Sequence, residues 1–285
     1  MCRLFAYVHS GSAKSMRETL GDRLVDEFRQ LAEVHRDGWG AVWGSSGALS
    51  SYLSTKPATQ DPMFDALTTQ VVDSVLVHER WASPGIGLQL DNQQPFTAGG
   101  VTFAHNGTIS NDDGNLVHRP AAYRESLGLF QSTTMSDSRI YADLFLLRLE
   151  EQRRYSTSEG RPPSVDDVKQ ALVKTLAQLR MDYPDASFNN MIETSDFTFA
   201  TRAHANQPKY SDGLRRGYEA AGWAHRIDDY YELGYTSISH ADGSVTSVAS
   251  SSGYPASDHW TKLPNNTIFV LSHRDASIQT LSLEA

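Results

Sequence analysis

Met1-Cys2-Arg3-Leu4-Phe5-Ala6-Tyr7-Val8-His9 opens the chain and holds its one cysteine directly after the initiator Met. Leu4 to His9 has the composition of a strand. The apolar run is too short for a secretory signal and has no basic segment before it, so the chain is read as cytoplasmic. Cys2 is the sole cysteine, which excludes an intramolecular disulfide and a cysteine-rich metal site. Its side chain is small enough for methionine aminopeptidases to accept the site, so the mature chain is expected to begin at Cys2, with its α-amine beside its own thiol. An α-amine titrates near ~7.7–8.0, so a useful fraction is neutral near pH 7 and can act as general base for the thiol. Taken alone, one cysteine near a terminus is a small buried hydrophobe. The nucleophile reading needs partners elsewhere in the chain.

Working outward, Ser15 with Glu18 forms a capping box, and Met16, Leu20, Leu24, Val25, Phe28 and Leu31 lay one apolar stripe along a single helix that stops at residues 35–38. Trp39 to Trp43 and Tyr52 to Thr55 read as short strands, Asp61 to Val72 as a helix, and Ser74 to Trp81 and Val101 to His105 as strands. Two strongly periodic helices follow, Asp137 to about Arg153 and Ser164 to about Met181, separated by a polar loop at Tyr155 to Pro163. The last third reads as strands: Phe188 to Glu193, Phe197 to Ala203, Tyr231 to Ile238, Ser244 to Ala249, Thr267 to Ser272 and Ile278 to Leu283. Strands, then helices, then strands again predict an antiparallel α+β layer protein. No repeat or linker marks a boundary, so 1–285 is expected to be a single domain.

Composition narrows the function. With 39% hydrophobic and 21% charged residues the chain belongs with soluble globular proteins. A net charge of −9 without a dense Lys/Arg run disfavours nucleic acid, and no apolar stretch is long enough to span a bilayer. A small-molecule partner is the expectation. The histidines show no paired helical spacing and no glycine-rich phosphate loop occurs, so neither a metal nor another cofactor is predicted.

Polar groups gather instead at the ends of apolar segments, in residues 78–85, 103–109 and 136–138. Asn106 offers an amide donor and Gly107 a backbone N–H, a pair suited to an oxyanion hole; alone, Asn-Gly would be a type I′ hairpin turn. Alternation along the strand points His105 away from Asn106, which gives that histidine a structural role. His78 shares a strand face with Arg80 and is expected to support it.

Cys2 after Met1, the turn Asp37-Gly38-Trp39-Gly40, the His-x-Arg-x-Ala-Ser segment at 78–83, the loop Asn92-Gln93-Gln94-Pro95-Phe96, Phe103 to Ile109, and Ser136-Asp137-Ser138 together resemble the class II glutamine amidotransferase domain of the N-terminal nucleophile hydrolases. Trp260-Thr261-Lys262-Leu263-Pro264 resembles the ending of stand-alone members. The resemblance implies a four-layer αββα sandwich of two largely antiparallel sheets, with Cys2 at the start of the first inner strand. It also implies roles: Cys2 attacks the γ-carboxamide, Asn106 and Gly107 hold the oxyanion, Arg80 pairs with the substrate α-carboxylate, and Asp137 pairs with its α-ammonium. Trp81 and Ser83 resemble positions lining the glutamyl pocket. A glutamyl group is a zwitterion at one end and an amide at the other, so one fixed cation and one fixed anion away from the scissile bond suit it.

Pro84 stands where several larger amidotransferases carry a histidine, and no second catalytic domain follows before Ala285. The expectation is therefore a cysteine amidohydrolase acting on glutamine or another γ-glutamyl compound, similar to the ergothioneine-pathway γ-glutamyl amidohydrolase and to glutathione-degradation subunits. The alternatives are a glutaminase subunit feeding ammonia to a separate synthase and a non-catalytic protein that retains the fold. The bile-acid and penicillin amidase branch also begins Met-Cys, but does not use the 78–83 and Asn-Gly motifs in this arrangement. A partner synthase and a homo-oligomer both remain open.

Overall fold

The computed structural model describes residues 2–45, 48–83, 85–111, 114–116, 136–155, 161–205, 212–224, 227, 230–251 and 260–284. Met1, Pro84 and most of the polar loop at 155–163 lie outside these residues. Strand β1 is Arg3–His9, followed by β2 (Trp39–Ser45), β3 (Ala48–Ser54) and β4 (Ser74–Glu79). Then come β5 (Phe96–Ala98), β6 (Val101–Asn106), β7 (Asn189–Glu193), β8 (Phe197–Arg202), β9 (Leu233–Ser239), β10 (Val245–Ser251), β11 (Thr261–Lys262), β12 (Thr267–Ser272) and β13 (Ile278–Ser282). They form two large antiparallel sheets, ordered β11-β9-β10-β1-β4-β2-β3 and β13-β12-β8-β7-β6-β5.

The period-2 alternation of the strands builds the layers. Leu4, Ala6 and Val8 of β1, Leu76 of β4, Ala104 of β6, Met191 of β7, Ala200 of β8 and Phe269 and Leu271 of β12 fill the space between the sheets. On the opposite face of the first sheet, Phe5, Tyr7, Trp39, Val75 and Val77 pack with Met16, Val25, Phe28, Phe64 and Leu67 of helices α1 (Met16–Leu20), α2 (Asp22–Gln30) and α3 (Pro62–Thr69). On the outer face of the second sheet, Phe103, Ile192, Phe199 and Val270 pack with α4 (Asp137–Tyr155) and α5 (Val165–Asp182). The result is the expected α+β sandwich, with two helical layers around two sheets.

Two differences from the sequence reading have local causes. The single helix expected from Ser15 breaks at Gly21, whose φ of +77° lies in the left-handed region that favours glycine, so α1 ends there and α2 restarts. The capping box of Ser15 and Glu18 is present at the start of α1. The last third, read as strands alone, contains a further helix, α6 (Asp212–Ala220). Only Leu214 and Tyr218 of that helix are buried, and Gly217 lowers its helix propensity, so its pattern was faint.

Candidate active site

β1 and β4 pair in antiparallel register, Arg3 opposite Glu79, which brings Cys2 next to the segment 80–82. The turn at 37–40 holds that segment. Asp37 N donates to the Arg80 carbonyl at 3.0 Å, Arg80 N donates to the Gly38 carbonyl at 2.9 Å, and Ala82 N donates to Asp37 Oδ2 at 2.8 Å. Gly38 has φ +119°, and a Cβ there would run into the Ser54 carbonyl and the Gln93 side chain, which itself donates to the Asp37 carbonyl at 2.9 Å. The glycine-rich turn thus serves to press two loops together behind Arg80.

Cys2, Arg80, Trp81, Ser83, Gly107 and Asp137, all named from the sequence, line one small cleft. Asn106 is wholly buried and does not itself line the cleft, and its amide is divided. Oδ1 accepts from the Cys2 nitrogen at 3.0 Å, while Nδ2 is buried with no hydrogen-bond partner. An unsatisfied buried amide donor costs ~1–3 kcal/mol and is the kind of exception that points to a ligand. The Cys2 thiol faces the Trp81 carbonyl at 3.9 Å.

Neither Asn106 nor Gly107 has the positive φ that a type I′ turn demands, so the dipeptide is a strand end. A Cβ on Gly107 would collide with the Ser187 carbonyl and the His105 ring. The glycine therefore serves close packing against the neighbouring strand end. His105 faces away from the cleft as alternation requires, its ring bonding Ser138 Oγ at 2.9 Å and the Ser187 carbonyl at 2.8 Å.

Arg80 is 3% exposed; Nη2 donates to the Gly87 carbonyl at 3.2 Å and Nη1 is buried without a partner. Burial pulls its guanidinium below the usual range, against the opposing pull of Cys2, Asp37 and Asp137. His78 lies fully buried, and burial together with the Arg80 charge holds its pKa well below the ordinary value; neither ring nitrogen hydrogen-bonds Arg80. Asp137 is the first residue of α4, where the helix dipole favours an anion; its carboxylate accepts from Ile109 N at 2.8 Å and Ser138 N at 2.9 Å. Ser83 Oγ lies 3.5 Å from Thr108 Oγ1.

The cleft also includes Ser136 and Ser138 of the segment 136–138, together with Ile86, Asn92 and Gln94, to which the sequence assigns no role. Asn92 donates to the Gly87 carbonyl that Arg80 also uses, and Gln94 Oε1 accepts from His105 N at 2.6 Å. Their signal was the polar run 92–94, quoted as a motif without a role.

The profile of the class II glutamine amidotransferases matches residues 1–282. The chain belongs to this family. Among solved structures, the class II glutamine amidotransferase chain is similar to glutamine phosphoribosylpyrophosphate amidotransferase from B. subtilis, solved with ADP and GMP, at 13% identity and a TM-score of 0.57 over 99% of this chain. It spans about half, 49%, of that enzyme's length. It is also similar to a glutamine aminotransferase class-II domain protein from Silicibacter pomeroyi, at 15% identity and a TM-score of 0.55, with both chains wholly covered. No curated protein matches it. No helix among the described residues of this amidotransferase is long and apolar enough to cross a membrane.

Proposed function

We propose that residues 1–285 form one amidohydrolase domain that cleaves γ-glutamyl amides through a γ-glutamyl thioester on Cys2. The divided amide of Asn106 carries this reading: one atom holds the nucleophile's nitrogen and the other is a buried donor awaiting an acceptor. After removal of Met1, the α-amine takes the thiol proton as sulfur adds to the γ-carbonyl carbon. The oxyanion sits between Asn106 Nδ2 and Gly107 N–H. Its collapse breaks the C–N bond, and the α-ammonium returns the proton to the departing amine. Water, deprotonated by the same amine, then attacks the thioester, releasing glutamate and restoring the thiol.

Arg80 Nη1, buried and unpartnered, is suited to the substrate α-carboxylate, and the Asp137 carboxylate to the α-ammonium. Trp81 and Ser83 flank the glutamyl chain. On the acceptor side, γ-glutamyl compounds bulkier than glutamine are the proposed substrates. Steady-state kinetics on glutamine and on a γ-glutamyl dipeptide test it, with dipeptide cleavage at least as efficient as glutamine hydrolysis expected. Glutamine hydrolysis that appears only with an added synthase, and no dipeptide cleavage, would favour the ammonia-donating subunit. Cys2→Ala should abolish turnover; retained activity would overturn the covalent route, and an inactive wild type would leave only the fold.

A further inference from the structure

Beside Cys2 lies a buried guanidinium to which no carboxylate of the described residues is bonded. Arg3 is 0% exposed. Its Nη1 donates to the Cys2 carbonyl at 3.2 Å and to the Tyr230 carbonyl at 3.0 Å. Nε donates to the Tyr218 hydroxyl at 3.0 Å, and Nη2 reaches the same oxygen. The guanidinium carbon stands 3.7 Å from the centroid of the Tyr230 ring. The Tyr218 hydroxyl in turn lies 3.0 Å from His35 Nε2. Glu79, opposite Arg3 in register, is buried with neither carboxylate oxygen hydrogen-bonded, and burial lifts its pKa well above the usual carboxylate range against the pull of Arg3.

A buried cation held this way is a poor stabilising device, since an apolar side chain of similar volume often folds as well or better. What the arrangement does supply is a fixed main chain at the nucleophile. Asn106 Oδ1 grips Cys2 at its nitrogen and Arg3 grips it at its carbonyl. The same helix contributes twice, because Tyr218 braces Arg3 while Gly217 of α6 abuts the Trp81 ring, where a Cβ would come within 2.5 Å. The Trp81 carbonyl faces the Cys2 thiol.

We infer that Arg3, braced by Tyr218, is a positioning residue that holds the Cys2 main chain so that the thiol meets the substrate carbonyl in line. This rests on Cys2 being the nucleophile proposed above. The test uses processed protein, with Cys2 at its N-terminus by intact mass, carrying Arg3→Met or Tyr218→Phe. Readouts are kcat and KM on a γ-glutamyl dipeptide, the rate of Cys2 alkylation by iodoacetamide, and Tm. Misplacement of a reacting group by about 1 Å costs on the order of 10² in rate, so Arg3→Met should lower kcat, counted per folded molecule, by about that factor with KM nearly unchanged. Tyr218→Phe, which removes one oxygen, should lower kcat by about tenfold on the same reasoning. Should Arg3→Met fail to fold, Tyr218→Phe carries the test alone.

A folded variant with unchanged kcat and alkylation rate would overturn the inference, as would a lowered Tm with full activity per folded molecule. If the wild type turns over no γ-glutamyl compound, the functional reading fails and alkylation decides this one. Slower alkylation in the variants supports positioning, and equal rates refute it.

Discussion

Asn106 bonds the Cys2 nitrogen through Oδ1 and keeps Nδ2 buried without a partner, so its substitutions separate the two tasks proposed for it. Asn106→Ala should lower kcat by about 10²–10³, the usual loss for one oxyanion donor, with substrate binding retained. Asn106→Asp keeps the acceptor for Cys2 but replaces the donor with an anion, and should be no more active than the alanine variant; a near-wild-type kcat in either would remove Asn106 from the oxyanion site. On the proposed roles, Arg80→Ala and Asp137→Ala would each leave a substrate charge unpaired in a buried site. Each should cost ~2–5 kcal/mol in kcat/KM for glutamyl substrates, read by steady-state kinetics. The outward turn of His105 could be foreseen because strand alternation is strict at that point, with Ala104 and Asn106 committed to the opposite face. Asn92 could not, since its place depends on a loop folding back to share the Gly87 carbonyl with Arg80.

At the scale of elements, the capping box of α1 was readable from Ser15-Glu18 because both partners lie within one turn, whereas at α5 Asp167 closes the box with Ser164 in place of the usual Glu or Gln. The break at Gly21 and the helix α6 were not readable, since each depends on what it packs against more than on its own pattern. Gly217 is disfavoured in a helix but is what lets α6 approach the Trp81 ring. Asp61 shows how much one residue ties together. It caps α3 through Met63 N at 3.1 Å, and accepts from Trp39 Nε1 and from the Tyr52 hydroxyl, each at 3.2 Å. Burial pushes its pKa up, but these bonds and Ser54 outweigh it, so the net direction is down. Asp61→Ala removes a cap and strands the buried Trp39 N–H, an expected loss of ~2–4 kcal/mol by denaturant unfolding. An effect below ~0.5 kcal/mol, the range of ordinary surface substitutions, would show that α3 and β2 do not depend on it.

Across the whole molecule the two sheets meet over an apolar layer that ends, away from Cys2, in a polar contact: Ser74 Oγ of β4 donates to Glu193 Oε1 of β7 at 2.6 Å. Burial lifts the Glu193 carboxyl from its ordinary 4.5 to about 8, despite the Ser74 bond. Between those values the unfolded chain has lost a proton that the folded chain keeps, so this group makes stability fall as pH rises through that window. Glu193→Gln retains an acceptor for Ser74 and has nothing to ionise. Its Tm should exceed that of the wild type at pH 8 and converge with it near pH 4.5; parallel Tm curves across that range would refute the assignment. The layered architecture followed from strand and helix order together with the family resemblance, whereas a carboxyl trapped between sheets has no signature in a linear sequence, because Ser74 and Glu193 meet only once both sheets are stacked.

The bond from the Cys2 nitrogen to Asn106 requires a single N–H, which a peptide nitrogen supplies as well as a free amine does. On the proposed mechanism, loss of Met1 would be a change of basicity without a change of architecture: the precursor would be a zymogen already assembled, awaiting no refolding, only a lone pair. Chains that retain Met1, isolated and verified by intact mass, should melt at the same temperature as processed chains and yet be inert. A large difference in Tm between the two forms would mean that maturation also rebuilds the site.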